Sequence, residues 1–317
     1  MEVLNKRQEH KKLFREFVDK VEASVSWKAF LKKNKIDNLK FEVLSECHYK
    51  QAVSLLCFQF SMYGNATNHT CLHVSSEDNL LRFRPLVKFA ISMGTSMVVL
   101  ERTTNRVVGV AITRDILEHE QVEQESSNSD TLAAHLVHSL RKQIVAKAIL
   151  SFPELATYFS KDLKPLNDIK YGQIRYNEVV AVDPAFLAKK LGYVLTFLKL
   201  YAVEYMGYEK GYVVASSPTV RHIASMSAKE TFPYSVFDYS TFEFDGGHDK
   251  IKNMEDAYRQ LQTDYGYTAE YVQRLRANSK LALLLLTYIP KWWLGYVSIF
   301  PELLPFVREV GPIPSKL

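Results

Sequence analysis

Cysteine is scarce in this 317-residue chain: Cys47, Cys57 and Cys71 complete the set, and none stands in a CxxC pair. That spacing argues against a thiolate zinc site and a disulfide framework, and it suits a reducing compartment. Membrane-length apolar runs are missing too. The run Leu281-Ala282-Leu283-Leu284-Leu285-Leu286 is closed by Pro290-Lys291, short of the about 20 residues a spanning helix needs. No apolar signal segment precedes the patterns Asn65-Ala66-Thr67 and Asn68-His69-Thr70, so both are discounted as glycosylation sites. A surplus of one charge is confined to the front. Residues 1 to 40 hold 11 Lys and Arg against 6 Asp and Glu, and the remainder balances at 29 against 29. With no recognition motif beside it, this local basic patch excludes a nucleic-acid reader. Glu2, Glu9, Glu16, Asp19 and Glu22 speak against a mitochondrial presequence.

What is present is an ordinary globular composition, 47% hydrophobic and 24% charged, long enough for one enlarged domain or two. The chain is organised around residues 173 to 232. Ile174, Tyr176, Val180 and Val182 lie in a β-branched and aromatic run that stops at Asp183-Pro184, which predicts a strand ending in a turn. From Leu191 the apolar residues Leu195, Leu198, Ala202, Val203 and Met206 recur at helical spacing as far as Gly207, a C-terminal cap. A second strand spans Tyr212 to Ala215, and Ser217-Pro218 opens another helix. The first connection is tight enough to aim backbone N–H groups and a helix N-terminus at a phosphate.

This order resembles the core of the GCN5-related N-acetyltransferase (GNAT) superfamily, and within it the arylalkylamine or dopamine N-acetyltransferase-like branch. The resemblance covers roughly residues 40 to 245. It rests on the strand end Val182-Asp183, on Ala215-Ser216-Ser217 closing the next strand, and on the loop Leu187, Ala188, Lys189, Lys190, Leu191, Gly192. The family loop reads Arg/Gln-x-x-Gly-x-Gly/Ala. Only its last small residue, Gly192, is kept; Leu187 stands at the basic position and Lys190 at the middle glycine. The fold implied is α/β (α+β), a mixed and mostly antiparallel sheet flanked by helices. The implied cofactor is acetyl-CoA, held by Val180, Val182, Lys189, Lys190, Gly192 and Tyr193.

Along the chain, residues 1 to 38 form a basic helical segment with the stripe Leu13, Phe14, Phe17, Val18 and Val21, expected to pack on the domain first and to dock a partner second. Residues 39 to 247 form the GNAT-like domain. Within it are expected a strand at Phe41 to Leu44, helices over Ala52 to Phe60 and Leu80 to Ile91, and a hairpin of Thr95 to Leu100 with Val107 to Ile112. A helical insertion follows at 117 to 170, where His135 and His138 read as surface residues in preference to a metal pair. A last strand is expected from Tyr234 to Phe244. Residues 248 to 317 read as a helical, aromatic-rich extension with helices at Met254 to Leu261 and Ala269 to Tyr288, then an apolar tail from Trp292 to Phe306. The final Ser315-Lys316-Leu317 matches a peroxisomal address, leaving cytoplasm and peroxisome as alternatives.

Acetyl transfer needs a deprotonated amine, a donor to the thioester carbonyl and a proton for the leaving thiolate. The resemblance implies the carbonyl donor along Glu178 to Val182, and Ser216 as an assisting hydroxyl. The family's base falls on Tyr63, a poor base near neutral pH, and its general-acid tyrosine on about Ser227. Glu178 and His222 are the other candidate proton carriers. Two functions stand: an N-acyltransferase on a small amine, aromatic amines foremost, or a GNAT-fold protein without catalysis that serves as an assembly subunit through its two ends. An exposed apolar patch at 281 to 306 favours the second, an open cleft beside Val182 to Gly192 the first.

Overall fold

The computed structural model describes residues 2–63, 76–118, 143, 146, 169–215, 235–238, 254–263, 266, 268–277, 280–288, 296–297 and 300–310. The basic N-terminal segment divides at Ser24. Helix α1 runs Glu2–Ala23 and α2 Val25–Lys33; the Ser24 hydroxyl accepts from the Trp27 N–H at 3.0 Å, an N-cap that restarts the helix in a new direction. Phe14, Phe17, Val18 and Val21 of α1 are buried, so this stripe belongs to the core.

Next come β1 (Leu39–Val43), α3 (Tyr49–Tyr63), α4 (Ser76–Met93), β2 (Met97–Glu101) and β3 (Val107–Asp115). These match the expected strand, paired helices and hairpin, with β3 longer than its sequence signal. Strand β4 (Ile174–Val182), a 3₁₀ turn (Pro184–Lys189), α5 (Leu191–Tyr205) and β5 (Lys210–Ala215) form the predicted central unit. Gly207, at φ +82°, ends α5 and donates to the Glu204 carbonyl at 2.9 Å. Then follow β6 (Ser235–Asp238), α6 (Met254–Thr263), α7 (Ala269–Ala277), β7 (Lys280–Tyr288) and α8 (Leu303–Val310).

The helix expected over Ala269 to Tyr288 is corrected. It stops at Ala277, and Lys280–Tyr288 is a strand threaded between β5 and β6. Its sequence is a short continuous apolar run, which periodicity alone does not separate from a buried helix segment. Among the described residues seven strands lie in the order β1-β2-β3-β4-β5-β7-β6, and of these only β4 and β5 pair in parallel.

One sheet face carries α1, α2, α5 and residues 296, 297 and 300 to 310, with Trp27, Phe41, Phe197, Tyr201 and Phe306 in a common core. The other carries α3 and α4, with Leu56, Phe83, Val87, Val110, Val179 and Ala181. Tyr296, Phe300, Leu303 and Phe306 are all 5% exposed or less, so the described part of the aromatic tail is core. Among the described residues no helix is long and apolar enough to cross a membrane. The expected helix in the insertion, His135 and His138, Trp292 and Trp293, and the terminal Ser315-Lys316-Leu317 lie outside the described residues.

The two ends are tied together. Glu309 of α8 accepts from the N–H groups of Val25 (2.8 Å) and Ser26 (2.9 Å) at the start of α2. The Ser26 hydroxyl, then the backbone donors, hold its carboxyl down to about 2. A depressed carboxylate contributes stability above its unfolded pKa and loses it as pH falls through the folded one. Glu309→Gln should therefore lower Tm by about 1 °C at pH 7, small because the pair is exposed. In paired melts that difference should vanish as the pH approaches 2.

Candidate active site

Strands β4 and β5 start side by side and then part. Their parallel register runs from Ile174 opposite Lys210 to Asn177 opposite Val213, and beyond that, among the described residues, β5 continues against β7 alone. The edge of β4 from residue 178 onward is left facing a fork. The hydrogen-bond alternation shows which groups point into it. The Asp183 N–H donates to the Val108 carbonyl at 2.9 Å, so residue 183 addresses β3. Successive residues of a strand address opposite sides, and the register to β3 is unbroken from Val179 to Val182. Val182 and Val180 therefore turn their N–H and C=O groups toward the fork.

At the vertex of the fork β4 carries an extra residue. Ile112 is opposite Val179 while Thr113 is opposite Asn177, so Glu178 has no cross-strand partner on β3 and forms a bulge. Its side chain is 6% exposed and makes an ion pair with Arg114, whose guanidinium also lies over the Tyr176 ring at 5.4 Å. A buried carboxylate without a cation would be costly, and Arg114 explains why Glu178 can be there. The sequence placed Glu178 on the strand but contained no sign of this counter-ion.

The loop at the end of β4 keeps its turn despite the lysines. Asp183 accepts from the Ala185 N–H through its side chain (2.9 Å) and from the Phe186 N–H through its carbonyl (2.9 Å), which bends the chain out of the strand. Lys190 sits at φ 59°, ψ 21° as the N-cap of α5. That is the left-handed region in which glycine is free and an L-residue loses roughly 1–2 kcal/mol. The position where the resembled family has its middle glycine thus retains a glycine-type backbone. The Lys190 side chain lies over the Phe300 ring (5.3 Å), and that of Lys189 over Phe186 (4.9 Å). Gly192 follows in the first turn, and an added Cβ there would come no nearer than 3.9 Å to Val182 Cγ2. Tyr193 packs edge-on against Phe300 at 6.2 Å.

Val180, Val182, Lys189, Lys190, Gly192 and Tyr193 are accordingly gathered along one strand end, loop and helix start. Glu178 lies at the vertex of the same fork. Ser216 and His222 follow β5 outside the described residues, as does Ser227, and no side-chain geometry is described for Tyr63. Two residues beside the fork carried no sequence signal. Gln59 of α3 donates from Nε2 to the Val182 carbonyl at 2.5 Å. Asn177 is buried at the last β4–β5 rung, and neither Oδ1 nor Nδ2 has a hydrogen-bond partner among the described residues.

Among the described residues, a mostly antiparallel sheet with one parallel pair that splays open, and a tight turn and helix start at the end of the splayed strand, matches the GNAT fold. Solved structures of that fold align over most of the chain. An agmatine N-acetyltransferase in its apo form matches at TM-score 0.51 and 13% identity, over 80% of this chain and 100% of its own. The Drosophila melanogaster polyamine N-acetyltransferase, which catalyses formation of N-acetylagmatine, matches at 0.50 and 12%, over 79% and 99%. The C-terminal condensation domain of Ebony, in complex with beta-alanyl-dopamine, also matches at 0.50 and 12%, over 79% and 98%. At such identities the likeness is one of fold. No family model matches the chain, and no curated protein matches it in sequence.

Proposed function

We propose that this chain is an acyl-CoA-dependent N-acyltransferase that places an acetyl group on a small amine, with aromatic amines the first class to examine. The observation that carries the reading is the open β4 edge. Val180 and Val182 direct backbone donors and acceptors into a fork that no strand among the described residues fills, and an amide-bearing arm is the chemistry that completes such an edge. Bound there, acetyl-CoA would supply an activated thioester.

The chain's own residues divide the remaining work. The first-turn N–H groups of α5, with Gly192 giving close approach, and the Lys189 and Lys190 charges would face the phosphates. Tyr193 would flank them. The bulge at Glu178 puts the backbone out of register where the thioester carbonyl needs a donor. With Glu178 engaged by Arg114, we assign proton handling on the acceptor amine to His222 and Ser216 ahead of Glu178. The opposing reading, a non-catalytic assembly subunit, draws on the altered loop, the Tyr63 at the base position and the added ends; within 281 to 306 the exposed patch it would need does not include Tyr296, Phe300, Leu303 or Phe306, which are buried.

Thermal unfolding with acetyl-CoA tests the proposal. At 100 times its Kd the ligand adds about 2.7 kcal/mol to the native state, which should raise Tm by roughly 4 °C in a chain of this size. Acetylation of tryptamine, dopamine and agmatine, followed by thiol release, would then rank the acceptors. No rise in Tm with acetyl-CoA, longer acyl-CoAs or free CoA would sink the reading.

A further inference from the structure

The Val182 carbonyl belongs to the β4 edge that β5 abandons, yet it is already occupied. Gln59 reaches it from α3 across a sequence separation of 123 residues, Nε2 to oxygen at 2.5 Å. Gln59 is half-buried, and α3 packs its apolar side on the sheet face that holds Val179 and Ala181. A side-chain amide here does what a neighbouring strand does elsewhere: it supplies an N–H to a carbonyl that would otherwise be stranded in the fork. The chemistry is that of an amide N–H approaching a strand edge. An acyl-CoA presents that same chemistry, since its arm contains two amides.

Building on the acyl-CoA reading above, we infer that Gln59 is a built-in competitor for the cofactor edge, which closes the fork in the free chain and must leave Val182 when the ligand's arm pairs with β4. The bond it gives up is a single net hydrogen bond to a partly buried carbonyl, worth about a fivefold change in affinity. Gln59 is also the link between the two sides of the cleft. Its release frees a donor and acceptor on α3, the helix that walls the side opposite α5, so filling the fork changes the polar surface of that wall.

Gln59→Met tests this, because methionine keeps the length and apolar stem but cannot donate. Isothermal titration of acetyl-CoA into the two full-length proteins should show Gln59→Met binding about fivefold tighter. Its ligand-free Tm should fall slightly, as expected for losing an internal contact. Gln59→Ala, which also vacates the space, should bind at least as tightly and serves if the methionine variant folds poorly. Equal or weaker binding by the variants, with the wild type binding normally, overturns the competitor role and leaves the acyl-CoA reading intact. Absence of binding by wild type and variants alike overturns that reading and the competitor role with it.

Discussion

Replacing Arg175 by methionine should destabilise the fold by about 3–5 kcal/mol, a drop in Tm of roughly 5–10 °C for a chain of this length. Arg175 lies near the start of β4 with no exposed surface. Its Nη2 faces four oxygens: the Thr95 carbonyl (3.1 Å) and hydroxyl (2.6 Å), and the Thr113 carbonyl (2.8 Å) and hydroxyl (2.6 Å). Nη1 donates to the Tyr208 hydroxyl at 3.0 Å, and the guanidinium lies 5.2 Å from the centre of that ring. One side chain thus joins the entry to β2, the end of β3, the start of β4 and the turn after α5. Methionine fills much of the space but removes the guanidinium donors; the Thr95 carbonyl keeps the Thr113 hydroxyl (2.9 Å) and the Thr113 carbonyl keeps the Ser96 hydroxyl (3.3 Å), and each buried oxygen left short of a donor costs about 1–3 kcal/mol. Lysine should rescue little, because a single ammonium cannot reproduce the planar fork. The half-exposed Arg106–Asp183 pair, at 2.6 Å, is the internal comparison; Arg106→Met should change stability by less than about 1 kcal/mol. Urea unfolding of the three variants decides it, and an Arg175→Met loss no larger than that of Arg106→Met would refute the argument.

Arg175 also shows where reading the sequence stops. The central strand-turn-helix was legible because its signals are local: a β-branched run, Asp183-Pro184, then apolar residues at helical spacing to Gly207. The buried charges were not. Arg114 with Glu178, Arg7 with Glu118, and Arg175 with Thr95 join positions 64, 111 and 80 residues apart, and nothing in local pattern announces such pairs. Lys190 is a different case. A lysine stands where the resembled family has its middle glycine, and what the sequence did not show is that its backbone takes the left-handed conformation while its side chain lies over Phe300. β7 was misread for a third reason. Leucine and alanine favour helix in isolation, and strand identity came from β5 and β6 on its two sides. That placement brings residues 280 to 288 into the sheet that builds the fork, although they read in sequence as part of an extension.

Two buried groups beside Arg175 should make stability nearly flat with pH in the wild type and steeply sloped, in opposite senses, in two variants. His10 of α1 is held between the Tyr171 ring (5.7 Å) and the Tyr208 ring (4.7 Å). Burial, then the charges of Arg175 and Lys6, push it down to about 3. Because the folded value is depressed, its contribution is present above about 6.5 and drains away as pH falls toward 3, on the order of 4 kcal/mol in all. Asp115, at the end of β3, is pushed up to about 7 by burial, against the opposing hydrogen bonds it accepts from Leu117 (3.0 Å) and Gly172 (2.6 Å) and the charge of Arg175. Nearby Glu118 raises it further. Its folded value is raised, so its contribution is present below about 4 and is lost as pH climbs through 7, again on the order of 4 kcal/mol. Between pH 4 and 6.5 the two slopes oppose each other. His10→Phe, which keeps an aromatic ring between the tyrosines, should leave Asp115 alone and give a protein that weakens as pH rises from 4 to 7. Asp115→Asn should leave His10 alone and give one that strengthens over the same range. Asparagine misplaces a donor toward the Gly172 N–H, so its absolute stability will fall; the sign of the slope carries the test. Urea titrations at half-unit intervals from pH 4 to 7 would show it, and slopes of the same sign in both variants would mean that neither group titrates as its surroundings require.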